Sequence, residues 1–201
     1  RSFAGFGHLT FQRYRDQASS FSGLAASRHT RLLWQESGAT SVLEGAFVTG
    51  DYFTVLGVPM SFGRSLLPDD DRGPGATPVV VISEALWRPR FNADPGVVGR
   101  GMRVGRALCT IVGVAARGFR GLGLGDAVDL WLPLSADAAI HGTSESNDSD
   151  FFKNLGVVGR LKPGVSAAQA AAELAVLSSR IEKPEGNPSR TLHAVLTTQV
   201  R

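Results

Sequence analysis

Apolar positions along the chain change period several times, and each change marks an element. Phe11, Tyr14, Ala18 and Phe21 recur at helical spacing, which predicts an amphipathic helix from Thr10 to about Leu24. His29 to Glu36 and Ser41 to Thr49 carry strand patterning, with Ser37-Gly38 as the turn between them. Gly50-Asp51 opens a short helix over Tyr52 to Leu56 that Gly57 ends, and a loop rich in Pro, Gly and Asp fills Gly63 to Thr77. Pro78 to Ile82 is a continuous apolar run, the mark of a strand buried on both faces. Ser83 caps a helix whose Trp87 and Phe91 share a face, and Asp94-Pro95 starts a further helical turn. Met102 to Val104 and Ala107 to Val114 form a hairpin around Gly105-Arg106, and Asp129 to Leu132 is a short strand.

The stretch His141 to Asp150 is polar and marks a boundary or an exposed loop. After it, Leu155 to Leu161 reads as a strand. Ser166-Ala-Ala-Gln169 is a capping box, and Ala170, Leu174, Leu177 and Ile181 extend its helix along one face. Leu192 to Val200 closes with strand patterning. Helix follows strand repeatedly, so the fold class is α+β, mixed α and β.

Composition narrows the function. Of 201 residues, 43% are hydrophobic and 19% charged, a globular balance. Basic residues exceed acidic ones by 21 to 18, too small and too scattered an excess for a nucleic-acid surface. No apolar run approaches the roughly 18 residues that cross a bilayer. The chain opens on Arg1 rather than Met and stops just after a strand-like segment, so it is expected to be a soluble piece of a larger protein.

A search for catalytic chemistry returns little. No Gly-Lys pair exists for a phosphate loop, and no Gly-x-Ser-x-Gly elbow for a hydrolase. Gly121-Leu-Gly-Leu-Gly125 is glycine-rich but lacks the strand-to-helix setting and spacing of a dinucleotide site, so it reads as a flexible loop. His8, His29, His141 and His193 stand far apart, and Cys109 sits alone in an apolar strand, an inert core thiol. Asp69-Asp70-Asp71 is the sharpest acidic feature. Without the alternating ligands of a calcium loop it reads as a solvated turn that starts a helical turn or pairs with Arg64 or Arg72. Trp34, Trp87 and Trp131 suggest carbohydrate stacking as one use, but two of them, Trp87 and Trp131, lie in apolar patterned segments and are assigned to core packing. No catalytic, cofactor or metal residues are expected.

Gly45 to Pro59 (GAFVTGDYFTVLGVP) resembles the V-S-G-N-Y-F-x-V-L-G-V stretch of MacB-like periplasmic core domains. The resemblance continues, in order, through Gly63-Arg64, Asp69-Asp70, Pro78 to Ser83, Leu86-Trp87, Arg90-Phe91, Asp94-Pro95 and Val98 to Arg100. Ile111 to Val114, Gly118 to Gly121, Asp129 to Leu134 and Gly159 to Val165 complete it, so nearly the whole chain is covered. The wording is closest to FtsX-like orphan permeases with duplicated halves. The resemblance implies an extracytoplasmic, periplasmic part of an inner-membrane ABC-type permease, flanked by transmembrane helices of the parent chain and served by a separate ATPase subunit. It also implies a porter-like βα subdomain from residues 1–44 and 151–201, and a small α/β (sabre-like) subdomain inserted over 45–150.

No active site comes with the resemblance, because its motifs are turns, caps and core residues. The expected role is a non-catalytic head that couples membrane-helix motion to a substrate or partner protein, such as a periplasmic adaptor. The alternatives are an extracytoplasmic binding module, or a cell-wall-directed hydrolase using Asp69 to Asp71 with a distant histidine. Loops on a rigid scaffold tend to carry recognition, which makes Phe119, Arg120 and Leu122 the partner-contact candidates.

Overall fold

The computed structural model describes residues 6–36, 38–71, 77–122, 127–143 and 154–181. The chain runs α1 (His8–Gln17), β1 (Phe21–Glu36), β2 (Ala39–Val48), α2 (Tyr52–Leu56), β3 (Met60–Gly63), β4 (Val79–Ile82) and α3 (Glu84–Phe91). It continues through β5 (Gly101–Val104), β6 (Ala107–Ala115), β7 (Leu130–Pro133), α4 (Asp137–His141), β8 (Gly156–Leu161) and α5 (Ala167–Ile181). The mixed α and β class holds. The polar stretch from 144 to 150, the glycines beyond 122 and the strand expected at 192–200 lie outside the described residues.

Among the described residues, all eight strands join one sheet, in the order β2-β7-β4-β6-β5-β1-β8, with β3 on the side of β6. Because β1 also pairs with β2, six of the strands close into a circuit. The element that makes this work is β1, at 16 residues the longest strand described. Its first part, Phe21 to Ser27, pairs antiparallel with β8, and its second part, Ser27 to Glu36, pairs with β2. Trp34 and Gln35 reach across to Val104 and Arg103 of β5, which closes the ring.

Side chains on successive strand residues point to opposite faces, and here both faces are covered. Leu24, Ala26, Leu32 and Trp34 of β1, Phe47 of β2, Val80 and Ile82 of β4, and Leu130 and Leu132 of β7 share one core. Ala25, Ala46, Val48, Val81 and Trp131, from the same strands, enter a second core with Tyr52, Phe53 and Leu56 of α2. Double burial is why Val79–Ile82 and Leu130–Pro133 are unbroken apolar runs rather than alternating ones. Gly113 shows how tightly β6 and the end of β3 approach: a Cβ there would stand 2.2 Å from the Arg64 carbonyl oxygen.

Most local expectations survive. The α2 helix has the expected bounds, and its terminal Gly57 takes the left-handed conformation (φ 67°). Ser83 Oγ accepts a bond from Leu86 N at 3.0 Å, and Asp94 Oδ1 one from Gly96 N at 2.8 Å. The capping box is reciprocal: Gln169 N donates to Ser166 Oγ, and Ser166 N donates to Gln169 Oε1.

The first helix is a correction. It ends at Gln17, and Phe21 begins β1 instead of a last helical turn. The apolar spacing of Phe11, Tyr14, Ala18 and Phe21 is equally compatible with a helix followed by a strand. Pairing with β8 decides for the strand, which is a long-range effect no local pattern carries. The turn between them is fixed by α5. Glu173 accepts bonds from Ser19 N (2.7 Å), Ser19 Oγ (2.6 Å) and Ser20 N (2.8 Å).

Candidate functional site

The segment from Ala116 to Leu122 leaves β6 and turns back toward β7. Two glycines with positive φ, Gly118 (84°) and Gly121 (88°), make that reversal without strain. Phe119 N donates to Ala116 O at 3.1 Å, and Val128 N donates to Arg120 O at 3.1 Å, so the segment is tied at both ends. The three partner-contact candidates sit differently. Arg120 is exposed, while Phe119 and Leu122 are half-buried. The Phe119 ring stacks on Trp131 with centroids 5.2 Å apart, and meets Phe53 edge-on at 5.8 Å. Phe119 thus roofs the second core and leaves Arg120 outward beside it.

Leu122 also lines a cleft of about 630 Å³, with Ser27, Arg28, His29, Asn154, Gly156, Val157 and Val158 as the other walls. The cleft lies where β1 changes partner from β8 to β2. Burial lowers the pKa of His29, against an opposing pull from Glu44. Arg28 forms an ion pair with Asp137, and its guanidinium lies 5.3 Å from the centre of the Phe47 ring. His141 Nδ1 stands 3.0 Å from the same Asp137 carboxylate, whose residue is 3% exposed. A buried carboxylate held by an arginine across 109 residues of sequence fastens α4 to β1. Sequence reading passed over this clamp. Its signal was available, since Arg28 falls in the inward phase of β1 with Leu24, Ala26, Leu32 and Trp34, where a charge demands a partner.

The acidic turn is a 3-10 helix over Pro68–Asp71. Asp70 pairs with Arg64, as expected (Nη1 to Oδ2, 2.6 Å). Burial pushes its pKa up, but Arg64 and the Leu67 N–H outweigh that and lower it overall. Asp71 is only half-exposed: it accepts the Ser135 N–H at 2.8 Å, and burial pushes its carboxyl up to about 6. The expectation of a solvated turn treated the three aspartates alike, but a 3-10 turn aims neighbouring side chains in different directions. Among the described residues, no hydrogen bond of Asp70 or Asp71 is with a histidine. Among the described residues, no three His, Cys, Asp or Glu side chains gather as a metal site requires. Trp34, Trp87 and Trp131 are all buried, and so is Cys109, whose thiol burial pushes up to about 12. No helix of the described residues is long and apolar enough to cross a membrane.

Against known proteins, residues 8–177 match the family described as MacB-like periplasmic core domain. The chain belongs to that family. A stretch of 89 residues is 35% identical to the macrolide export ATP-binding/permease protein MacB of Chromobacterium violaceum, covering 44% of this chain and 13% of that protein. The chain therefore spans a small part of that relative's length. The crystal structure of the periplasmic region of MacB from Actinobacillus actinomycetemcomitans superposes with a TM-score of 0.68 at 15% identity, over 90% of this chain and 77% of the other. The extracellular domain of the noncanonic ABC-type transporter YknZ from Gram-positive bacteria gives 0.64 at 13% identity, over 90% and 85%. A domain of a putative permease protein from Porphyromonas gingivalis gives 0.60 at 16% identity, over 92% and 74%. These likenesses bear on the fold, and the family match bears on the class: the chain is a MacB-like periplasmic core domain.

Proposed function

We propose that this MacB-like domain is a non-catalytic head that couples movement of its parent chain's membrane helices to a substrate or partner protein. A separate ATPase subunit would drive the movement, and a periplasmic adaptor is one partner the surface could meet. In this reading the chain divides into a porter-like unit (1–44 with 151–201) and an inserted small α/β unit (45–150), with β2 crossing from the first to the second.

The observation that carries the reading is β1. One strand of 16 residues is hydrogen-bonded to β8 from Phe21 to Ser27, with a register shift between Phe21 and Gly23, and to β2 from Ser27 to Glu36, so displacement at one end is delivered to the other. The Arg28–Asp137 clamp sits at that hand-over and the Phe119 roof nearby, both adding stiffness where a lever needs it. A site that transmits force needs packing and paired charge rather than a poised nucleophile, and the residues around β1 are of that kind.

The test uses the parent permease with its ATPase in a lipid bilayer. A fluorescent donor at exposed Val42, introduced as Val42→Cys in a Cys109→Ser background, is paired with acceptor lipids. Nucleotide trapping should change the transfer efficiency, and inserting two glycines after Ser27 should abolish that change while leaving basal ATP hydrolysis in place. A head whose distance to the membrane ignores nucleotide sinks the coupling role.

A further inference from the structure

One edge of β1 is covered at both ends and changes hands between them. Thr49 N donates to Ala26 O on the side of β2, and Gly105 N donates to Leu33 O on the side of β5. Main-chain groups alternate between the two edges of a strand, so Ser27, His29, Arg31 and Leu33 address the edge that β8 and β5 share. There β8 reaches as far as Ser27, which pairs with Gly156, and β5 begins at Leu33 and Trp34. Both neighbours leave the extended path at those points: Asn154 is left-handed (φ 80°), and so is Gly105 (φ 53°). Among the described residues, the strand that pairs with His29 and Arg31 is β2, on the opposite edge.

The cleft opens at this place. It touches Ser27, Arg28 and His29 in succession, and likewise Gly156, Val157 and Val158. Consecutive strand residues point to opposite faces, so a cleft that meets three in a row opens on the strand edge rather than on one face. From Ser27 to Leu33 that edge runs about 20 Å, at about 3.3 Å per residue, the length of an extended peptide of about five residues. The rim is basic. Arg31, Arg103 and Arg106 are exposed, and Arg103 shares a face with Arg31 because it stands opposite Gln35. Glu44 answers one of these charges, through Arg31. On the other face Arg28 is bound to Asp137 beside the Phe47 ring, and Leu32 is buried, so that side favours an uncharged residue.

Resting on the coupling role, we propose that this edge of β1 receives an extended acidic peptide of the partner protein, added as a strand between β8 and β5. An open strand edge is a template for such pairing, and main-chain bonds to His29 and Arg31 supply the affinity. Peptide residues level with His29 and Arg31 carry carboxylates toward Arg31 and Arg103. The residue between them, level with Thr30, is aliphatic and lies on the side of Phe47. The guest therefore alternates acidic and apolar positions.

The probe is fluorescein-labelled Gly-Glu-Val-Glu-Val-Glu-Gly, titrated into the whole chain and followed by fluorescence anisotropy. It should bind saturably. Lysines in place of its glutamates should weaken binding by about tenfold or more, and so should N-methylation of the glutamate amides, which face β1. His29→Pro removes an edge N–H that β2 does not use and should cost about fivefold to tenfold. Arg31→Glu, at an exposed side chain, should cost about as much and keeps the test informative if His29→Pro lowers stability. No saturable binding by the wild-type chain, or equal binding of the N-methylated peptide, overturns strand addition. Equal binding of the lysine peptide overturns the charge assignment. Binding that appears only after residues 144–153 are replaced by a Gly-Ser run gives the edge to the chain itself and overturns the partner. Peptide binding by a head whose distance to the membrane ignores nucleotide supports the edge site and removes the coupling role alone.

Discussion

Removing the charge of Glu173 tests whether α5 holds the turn that launches β1. The carboxylate takes three donors from Ser19 and Ser20, at 2.6 to 2.8 Å, while its residue stays only half-buried. Burial works to raise its pKa, but the hydroxyls and N–H groups of the two serines overcome that and hold it down to about 2. In the unfolded chain the same group titrates near its ordinary value of 4.5. A depressed folded pKa means stability that is fully present above about pH 4.5 and is lost as the pH falls toward 2. At full value such a shift would approach about 3 kcal/mol, but solvent screening of a half-exposed group cuts this to about 1 kcal/mol.

Glu173→Gln keeps the shape and one acceptor oxygen but removes the charge. It should lower the unfolding free energy at pH 7 by about 1 kcal/mol. The difference from wild type should shrink below pH 4.5 and vanish near pH 2. Urea unfolding followed by tryptophan fluorescence at pH 7, 4.5, 3 and 2 measures it. Wild-type and variant curves that stay parallel across that range would refute the clamp, because a merely steric effect does not titrate.

Three further outcomes are expected. Asp71, raised to about 6, has the opposite sign: the folded form favours its proton, so its contribution is full below about pH 4 and declines as the pH rises through 6. Asp71→Asn should therefore gain about 1–2 kcal/mol on wild type between pH 4 and pH 7 in urea titrations; a constant offset at all pH values would contradict this. Ser83→Ala removes the acceptor for Leu86 N at a buried cap and should cost about 1–2 kcal/mol in thermal or urea unfolding, with Ser83→Thr recovering most of it. Cys109 is enclosed and its thiol pushed up to about 12. A chromogenic disulfide reagent should therefore label it about a thousandfold more slowly than the unfolded chain at pH 8. Rapid labelling of the folded protein would show that β6 opens.

Local chemistry was legible in the sequence because it is local. Ser83, Asp94 and the Ser166–Gln169 box cap elements within three residues of themselves, and Gly57 ends α2 through its own backbone freedom. The run Val79–Ile82 announced burial on both faces, and Trp87 and Trp131 announced core. The ordered motifs gave the family, which these same caps, turns and core residues define. What the sequence could not decide was which distant partner each element meets. Phe21 became strand rather than helix because Leu161 of β8 lies beside it, 140 residues on. Asp71 was read as solvated because nothing nearby in sequence announces Ser135. Phe119 looked like a free loop aromatic until Trp131 and Phe53 were placed under it. The cleft exists because β1 bends its loyalties between β8 and β2 at Ser27. Capping and turn energies act over a few residues and are written in order along the chain. Burial, ion pairing and strand registry act through space, so the closed sheet, the Arg28 clamp and the cleft were settled by tertiary structure alone.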